Sequence, residues 1–236
     1  MILCVRAKID AEQDAKTLAE MGLASAPAPV MQIVYHTPPT LHETQFQAII
    51  YTSRYAVAAA DIGLSKTAYC VGAGSARVAR DAGFSRVIAG DADAARLAEI
   101  IQAETAAEEG AFYWPHGEVV QFDIGKALRD AGYQVKDTAI YKLMPVRQAP
   151  PSIATEAECY KVQAVMCFSA QHLDQFARLL EQAGLWHHHE RWVLIVPNQR
   201  VAEAVSAQWA RIVVAPSPSH QAMLEAAEAW ARSSLS

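Results

Sequence analysis

The sequence predicts an α/β protein built on parallel sheets, and three observations predict it. Short apolar runs recur along most of the chain, each followed by an alanine-rich helical pattern, as in sheets covered by helices on both faces. Several runs are apolar at consecutive rather than alternate positions, which suits strands buried on both sides; Gln47-Ala-Ile-Ile-Tyr-Thr-Ser53 and Gln163-Ala-Val-Met-Cys-Phe-Ser169 are two of them. Small or hydroxylic residues sit at the strand-to-helix junctions, where they turn the chain and cap the next helix.

Ile2-Leu-Cys-Val5 is the first strand, and an alanine-rich helix from Asp10 to Met21 stops at Gly22. Pro27, Pro29 and the apolar stretch Val30 to Tyr35, closed by His36-Thr-Pro-Pro39, read as an extended connector. A regular pattern follows: the strand Gln47 to Ser53, a helix over Ala56 to Ala60, the strand Ala68 to Val71, a helix after Ser75 ending at Gly83, and the brief strand Val87-Ile88. Asp91 or Asp93 caps a helix from Ala94 to Gln102. Ala111-Phe-Tyr-Trp114 is the next strand, Pro115-His-Gly-Glu118 turns, and a helix runs from about Phe122 to Asp130 before Gly132. Tyr133 to Pro145 is extended without a helix signal, and Pro150 and Pro151 mark a second connector. The pattern then resumes with strands Gln163 to Ser169, Trp192 to Val196 and Arg211 to Ala215, and helices from Ala170 to Gln182 and Gln199 to Ala207. Ser217-Pro-Ser219 caps a last helix running to Trp230.

The two halves resemble each other: Gln47 to Ser53 parallels Gln163 to Ser169, and Val71-Gly-Ala-Gly-Ser-Ala76 parallels Val196-Pro-Asn-Gln-Arg-Val201. The first strand and helix have no strand partners beside them in sequence. Joining them to the C-terminal half gives a discontinuous domain, 1–32 with 149–236, an inserted domain 40–137, and connectors 33–39 and 138–148.

At 236 residues the chain fits one or two domains, and its composition, 52% hydrophobic and 19% charged, is globular. A net charge of −5 argues against nucleic acid as a partner, and no run has the length of a secretory or membrane segment, so the expected setting is the cytoplasm. Cys4, Cys70, Cys159 and Cys167 lack metal spacing and read as buried thiols. Trp186-His-His-His-Glu190 reads as a polar loop, because consecutive residues point in different directions and rarely converge on one ion.

In open parallel sheets ligands bind outside the carboxyl ends of the strands. Those ends carry Thr52, Ser53, Gly72, Gly74 and Ser75 in one half, and Ser169, Asn198, Gln199 and Ser217 in the other, with Arg6, Arg54 and Arg200 as nearby cations. Ordinary capping accounts for each of Ser53, Ser169 and Ser217 singly; their convergence points to an anion-binding surface. Val71-Gly-Ala-Gly-Ser-Ala76 has neither dinucleotide-binding nor phosphate-loop spacing. His116 and His220 read as loop residues and the carboxylates as solvated helix faces, so no nucleophile stands out. A non-catalytic, two-lobed α/β module binding a small anionic ligand is the main rival to an enzyme on these residues.

Leu3-Cys-Val-Arg6, Tyr51-Thr-Ser-Arg-Tyr-Ala-Val57, Val71 to Ala76, Ala139-Ile-Tyr-Lys142, Cys167-Phe-Ser169, Val196-Pro-Asn-Gln-Arg-Val-Ala202 and Ala215-Pro-Ser-Pro-Ser219 come in an order and spacing that resemble the uroporphyrinogen-III synthase family. The resemblance implies two flavodoxin-like domains, the first discontinuous, joined by a two-stranded ribbon. It implies cyclisation of hydroxymethylbilane, a linear tetrapyrrole, to uroporphyrinogen III, with inversion of the last ring and loss of water, without metal or organic cofactor. Tyr141 matches the family's connector tyrosine and is the expected catalytic residue; Gly117 and the strand-end set are the expected substrate contacts. Ser75 stands where threonine is common. Gln199 and Arg200 stand where a hydroxyl pair follows a glycine, here replaced by Pro197, so Arg200 is expected to supply charge in place of an amide. The resemblance further implies a monomer that receives its substrate from the upstream bilane synthase.

Overall fold

The computed structural model describes residues 1–37, 41–42, 45–59, 63–90, 93–204 and 208–233, and divides into two compact units, Met1–Ile33 with Leu143–Ser236 and Val34–Lys142. Each is an α/β layer structure on its own sheet, as the alternation predicts.

In unit 1, β1 (Ile2–Val5), β2 (Ser25–Pro27), β9 (Ala164–Cys167), β10 (Val193–Val196) and β11 (Arg211–Val214) form a parallel sheet in the order β11-β10-β9-β1-β2. Every residue of β1 and β9 is buried, which explains their unbroken apolar runs. Side chains alternate between faces: Ile2, Cys4, Ala164, Met166 and Ile195 pack with Ala11 and Leu18 of α1 (Lys8–Glu20) and Met223 and Ala227 of α9 (His220–Ser233). The helix α7 (Ala170–Gln182) packs against β1 and β9, burying Phe176, Leu179 and Leu180.

In unit 2, β3 (Met31–Tyr35), β4 (Phe46–Tyr51), β5 (Thr67–Cys70), β6 (Arg86–Ala89), β7 (Ala111–Gly117) and β8 (Val135–Pro145) lie in the order β3-β8-β7-β4-β5-β6. The division between the units falls within β3 and β8. The pairings β4–β5, β5–β6, β4–β7 and β7–β8 are parallel. Ala48, Ile50, Tyr69, Phe112 and Trp114 pack with Leu97 and Ile101 of α4 (Ala94–Glu104) and Ile124 and Leu128 of α5 (Ile124–Asp130). The other face is approached by α2 (Arg54–Ala59) and α3 (Ala73–Asp81).

Several expectations are corrected. The proline-containing stretch before the first connector holds an edge strand, β2, whose Pro27 is tolerated because only one side of an edge strand is paired. A short helix, α6 (Glu156–Lys161), follows the second connector. The histidine run is a 3-10 turn, Trp186–Arg191, rather than a polar loop: His188 and His189 are buried, and His189 stacks on Trp186 with ring centroids 4.0 Å apart. Asp10 and Asp14 are buried rather than solvated, because they pair with Arg6 and His220. Asp93 caps α4 by accepting from the Ala95 N–H at 2.8 Å, whereas Asp91, Ala60 and Ala207 lie outside the described residues. The four cysteines are free and buried, as expected. Among the described residues no helix is long and apolar enough to cross a membrane.

Candidate active site

In unit 2 the strand order reverses between β4 and β7, since β5 and β6 extend the sheet on one side of β4 while β7 and β8 extend it on the other. Ligand crevices of open α/β sheets form at such reversals, beyond the carboxyl ends of the strands. A cleft of about 580 Å³ lies there, lined by Thr52, Ser53, Val71, Asp93, Ala94, Gly117, Val119, Val120, Gln121, Phe122 and Tyr141. One wall follows from strand length. Pairing of β7 with β4 reaches Tyr113, and β7 then continues against β8 to Gly117. The register slips between His116 and Gly117, so Ala139 faces His116 but Tyr141 faces Gly117. An irregularity of this kind re-aims a side chain.

Tyr141 is held closely. A Cβ on Gly117 would lie 2.8 Å from Tyr141 Cζ, so the ring rests on glycine backbone. Tyr35 and Tyr55 meet it edge-on, with centroids 6.3 and 5.7 Å away. Burial pushes the Tyr141 phenol above its ordinary value near 10, and a hydrogen bond with the Ser53 side chain opposes the shift. The group is therefore a protonated donor at neutral pH. Ser53 also accepts the Tyr55 N–H at 3.2 Å, and Thr52 Oγ1 accepts the Trp114 indole N–H at 3.1 Å, which leaves the Thr52 hydroxyl proton free to point elsewhere.

Of the expected site residues in unit 2, Thr52, Ser53, Gly117 and Tyr141 are brought together, whereas Arg54, Gly72, Gly74 and Ser75 do not line the cleft. Arg54 opens α2 with its guanidinium 5.8 Å from the Tyr55 ring centroid. Gly72 is extended, with φ −165°, so its backbone makes no demand for glycine; Asn198 holds φ −163° at the matching turn of unit 1. No side chain caps α3, and Ser75 is buried in its first turn.

In unit 1 the expected residues are largely occupied by the fold. Ser169 accepts the His172 N–H at 3.2 Å, and Asn198 accepts the Val201 N–H at 3.0 Å. Ser217 is exposed and bonds Ser219 at 3.1 Å. Gln199 and Arg200 are exposed on α8 (Gln199–Glu203). Arg6 is committed: it contacts Asp10 at 3.3 Å and Asp14 at 3.2 Å and lies over Phe168 at 4.0 Å, so its charge is consumed by two buried carboxylates. His220 Nε2 meets Asp14 at 2.6 Å, which removes it from the loop-residue class.

The family model of the uroporphyrinogen-III synthase HemD matches residues 12–225. This chain belongs to the uroporphyrinogen-III synthase family. It is thereby an enzyme, a lyase of tetrapyrrole and haem biosynthesis that cyclises hydroxymethylbilane to uroporphyrinogen III. In fold it is similar to the uroporphyrinogen-III synthetase of Helicobacter pylori, at 16% identity over 97% of this chain and 98% of the other, with a TM-score of 0.62. A mutant uroporphyrinogen III synthase of Thermus thermophilus aligns over 98% of both chains at 15% identity, with a TM-score of 0.49. No curated protein sequence matches.

Sequence reasoning toward the synthase missed Asp93 as a cleft residue, along with Val119 to Phe122. The signal was an apolar pair, Val119-Val120, directly after a strand-end glycine; Val119 is 90% exposed. Elsewhere in the synthase, the ligand atoms of Glu156, His187 and His188 lie within 4.8 Å of one another. Both ring nitrogens of the buried His188 are engaged within the fold, Nε2 with Glu156 and Nδ1 with Arg191.

Proposed function

We propose that the unit 2 cleft holds the hydroxymethyl end of the bilane and that Tyr141 assists departure of its hydroxyl. The observation that carries this reading is the Tyr141 hydroxyl, buried, protonated and bonded to Ser53 in a cleft at the strand-order reversal. The oxygen accepts a hydrogen bond from Tyr141 and leaves as water after taking up a proton, and the methylene carbon becomes an azafulvene cation. The far ring attacks through its substituted carbon, giving a spiro-pyrrolenine that fragments and recloses in the inverted sense, and a proton is released as the pyrrole is restored. A phenol shifted upward is a weak acid, so its contribution is moderate. Holding the flexible chain in line is the larger effect, since orientation can be worth about 7 kcal/mol or more.

Thr52 and Ser53 supply hydroxyls, Gly117 supplies backbone, and the uncapped N–H groups opening α3 at Gly72, Gly74 and Ser75 suit a carboxylate. Arg54, Gln199, Arg200 and Ser217 are further proposed carboxylate contacts. Arg6 is withdrawn from that role and serves unit 1 internally, and Ser169 and Asn198 serve as caps. We also propose that the two units are flavodoxin-like domains with boundaries 1–32 plus 149–236 and 40–137, joined by a ribbon of 33–39 and 138–148. The same reading makes the protein a cytoplasmic monomer fed by the upstream bilane synthase. The test supplies hydroxymethylbilane and resolves the oxidised products by isomer. Tyr141→Phe is expected to slow isomer III formation severalfold or more; full activity with intact folding would remove Tyr141 from the mechanism.

A further inference from the structure

Asp93 is the one charged side chain among the described residues lining the cleft. It is an odd choice for a site whose substrate carries carboxylates, because it repels them. One of its oxygens, Oδ1, is spoken for, accepting the Ala95 N–H at 2.8 Å as the cap of α4. Capping alone does not require the charge: asparagine and serine cap as well as aspartate. The other described lining side chains are hydroxyls, an amide and apolar groups, so among the described residues the carboxylate has no counter-cation lining the cleft.

The charge has a use if the substrate changes sign at its reacting end. Loss of the hydroxyl as water, with one proton taken up, leaves a positive charge on the methylene carbon and its pyrrole. That charge is absent before the C–O bond breaks and is cancelled when the pyrrole later releases its proton. A fixed negative group acts selectively on such a transient charge and accelerates the step that forms it. We infer that Asp93 is a catalytic residue that stabilises the azafulvene cation electrostatically, forming no bond to it. The inference rests on the placement of the hydroxymethyl end in this cleft.

The substitution Asp93→Asn separates the two roles, since it keeps the cap and removes the charge. With the purified full chain and hydroxymethylbilane, kcat for isomer III is expected to fall about ten- to a hundredfold. KM is expected to stay level or fall, because ground-state repulsion is relieved. The thermal midpoint should stay near wild type. Asp93→Ala, which loses cap and charge, should match Asp93→Asn in kcat and melt lower. Unchanged kcat in Asp93→Asn, or a kcat loss that appears only in Asp93→Ala and tracks its melting, would overturn the inference and leave the cyclase activity standing. Wild type yielding only isomer I at the spontaneous rate would overturn both.

Discussion

Replacing Gly117 with alanine tests the central geometry of the cleft. The added Cβ would stand 2.8 Å from Tyr141 Cζ, 2.9 Å from Cε2 and 3.0 Å from Oη. Carbon atoms settle at roughly 3.5–4.0 Å, so the ring must retreat by about 0.7 Å or more. Retreat is resisted, because Tyr35 and Tyr55 already meet the ring edge-on and its hydroxyl is tied to Ser53. Overpacking of this kind costs about 1–3 kcal/mol. In a chain of this length each kcal/mol lowers the melting midpoint by about 2–4 °C. A misplacement approaching 1 Å costs activity up to about a hundredfold. Gly74→Ala is the matched control for stability alone: nothing lies within 4 Å of its Cβ position, and alanine is the better helix former by about 0.8–1 kcal/mol. Scanning calorimetry should therefore separate the two substitutions, and the isomer-resolved assay reads the activity loss of Gly117→Ala against wild type. A Gly117→Ala protein with wild-type melting and a wild-type rate of isomer III would refute the reasoning.

Two further outcomes concern unit 1. Asp14→Ala removes the shared partner of Arg6 and His220 from a buried position and should cost about 3 kcal/mol, read as a lower urea midpoint; Asp14→Asn, which retains a hydrogen-bonding oxygen, should cost less. Burial, with the Arg6 charge next, lowers His172 from its ordinary value near 6.5 to about 4. The unfolded chain thus takes up this proton first, so the stability contributed by neutral His172 is present above pH 6.5 and is lost as the pH falls through 4. The slope is at most about 1.4 kcal/mol per pH unit. His172→Gln should flatten that part of the urea-midpoint profile, and an unchanged profile would refute the assignment.

The βα alternation was legible because each apolar run is local and its burial on both faces shows in consecutive positions, as in Ala48 to Tyr51. Elements held by distant partners were not. The strand β2 is three residues ending in proline and exists through its pairing with β1. In α6 only Cys159 is buried, so it shows no helical period. Asp10 and Asp14, four residues apart, look like a solvated face; His220, which shows otherwise for Asp14, is 206 residues away from it. Within the cleft, Thr52 and Ser53 were readable as polar ends of a strand, whereas Tyr141 was marked by family resemblance rather than by its extended surroundings. Asp93 was hidden by being explained too soon, since capping accounts for it fully in sequence. Phe122 was assigned to a helix that begins at Ile124 because the apolar residues before it mimic a helix start.

The sheet of unit 1 has a consequence for synthesis. β1 leaves the ribosome well ahead of one of its sheet neighbours, β9, which begins at Ala164. At about 5–20 residues per second that neighbour arrives on the order of 10 s later. Meanwhile the whole of Val34–Lys142 has emerged and can complete its own sheet. Unit 2 therefore has the earlier chance to fold, while Ile2 to Val5, buried in the finished protein, remains a bare apolar edge. A nascent chain halted before Ala164 would carry a folded unit 2 beside a sticky, half-made sheet, the kind of intermediate that chaperones hold.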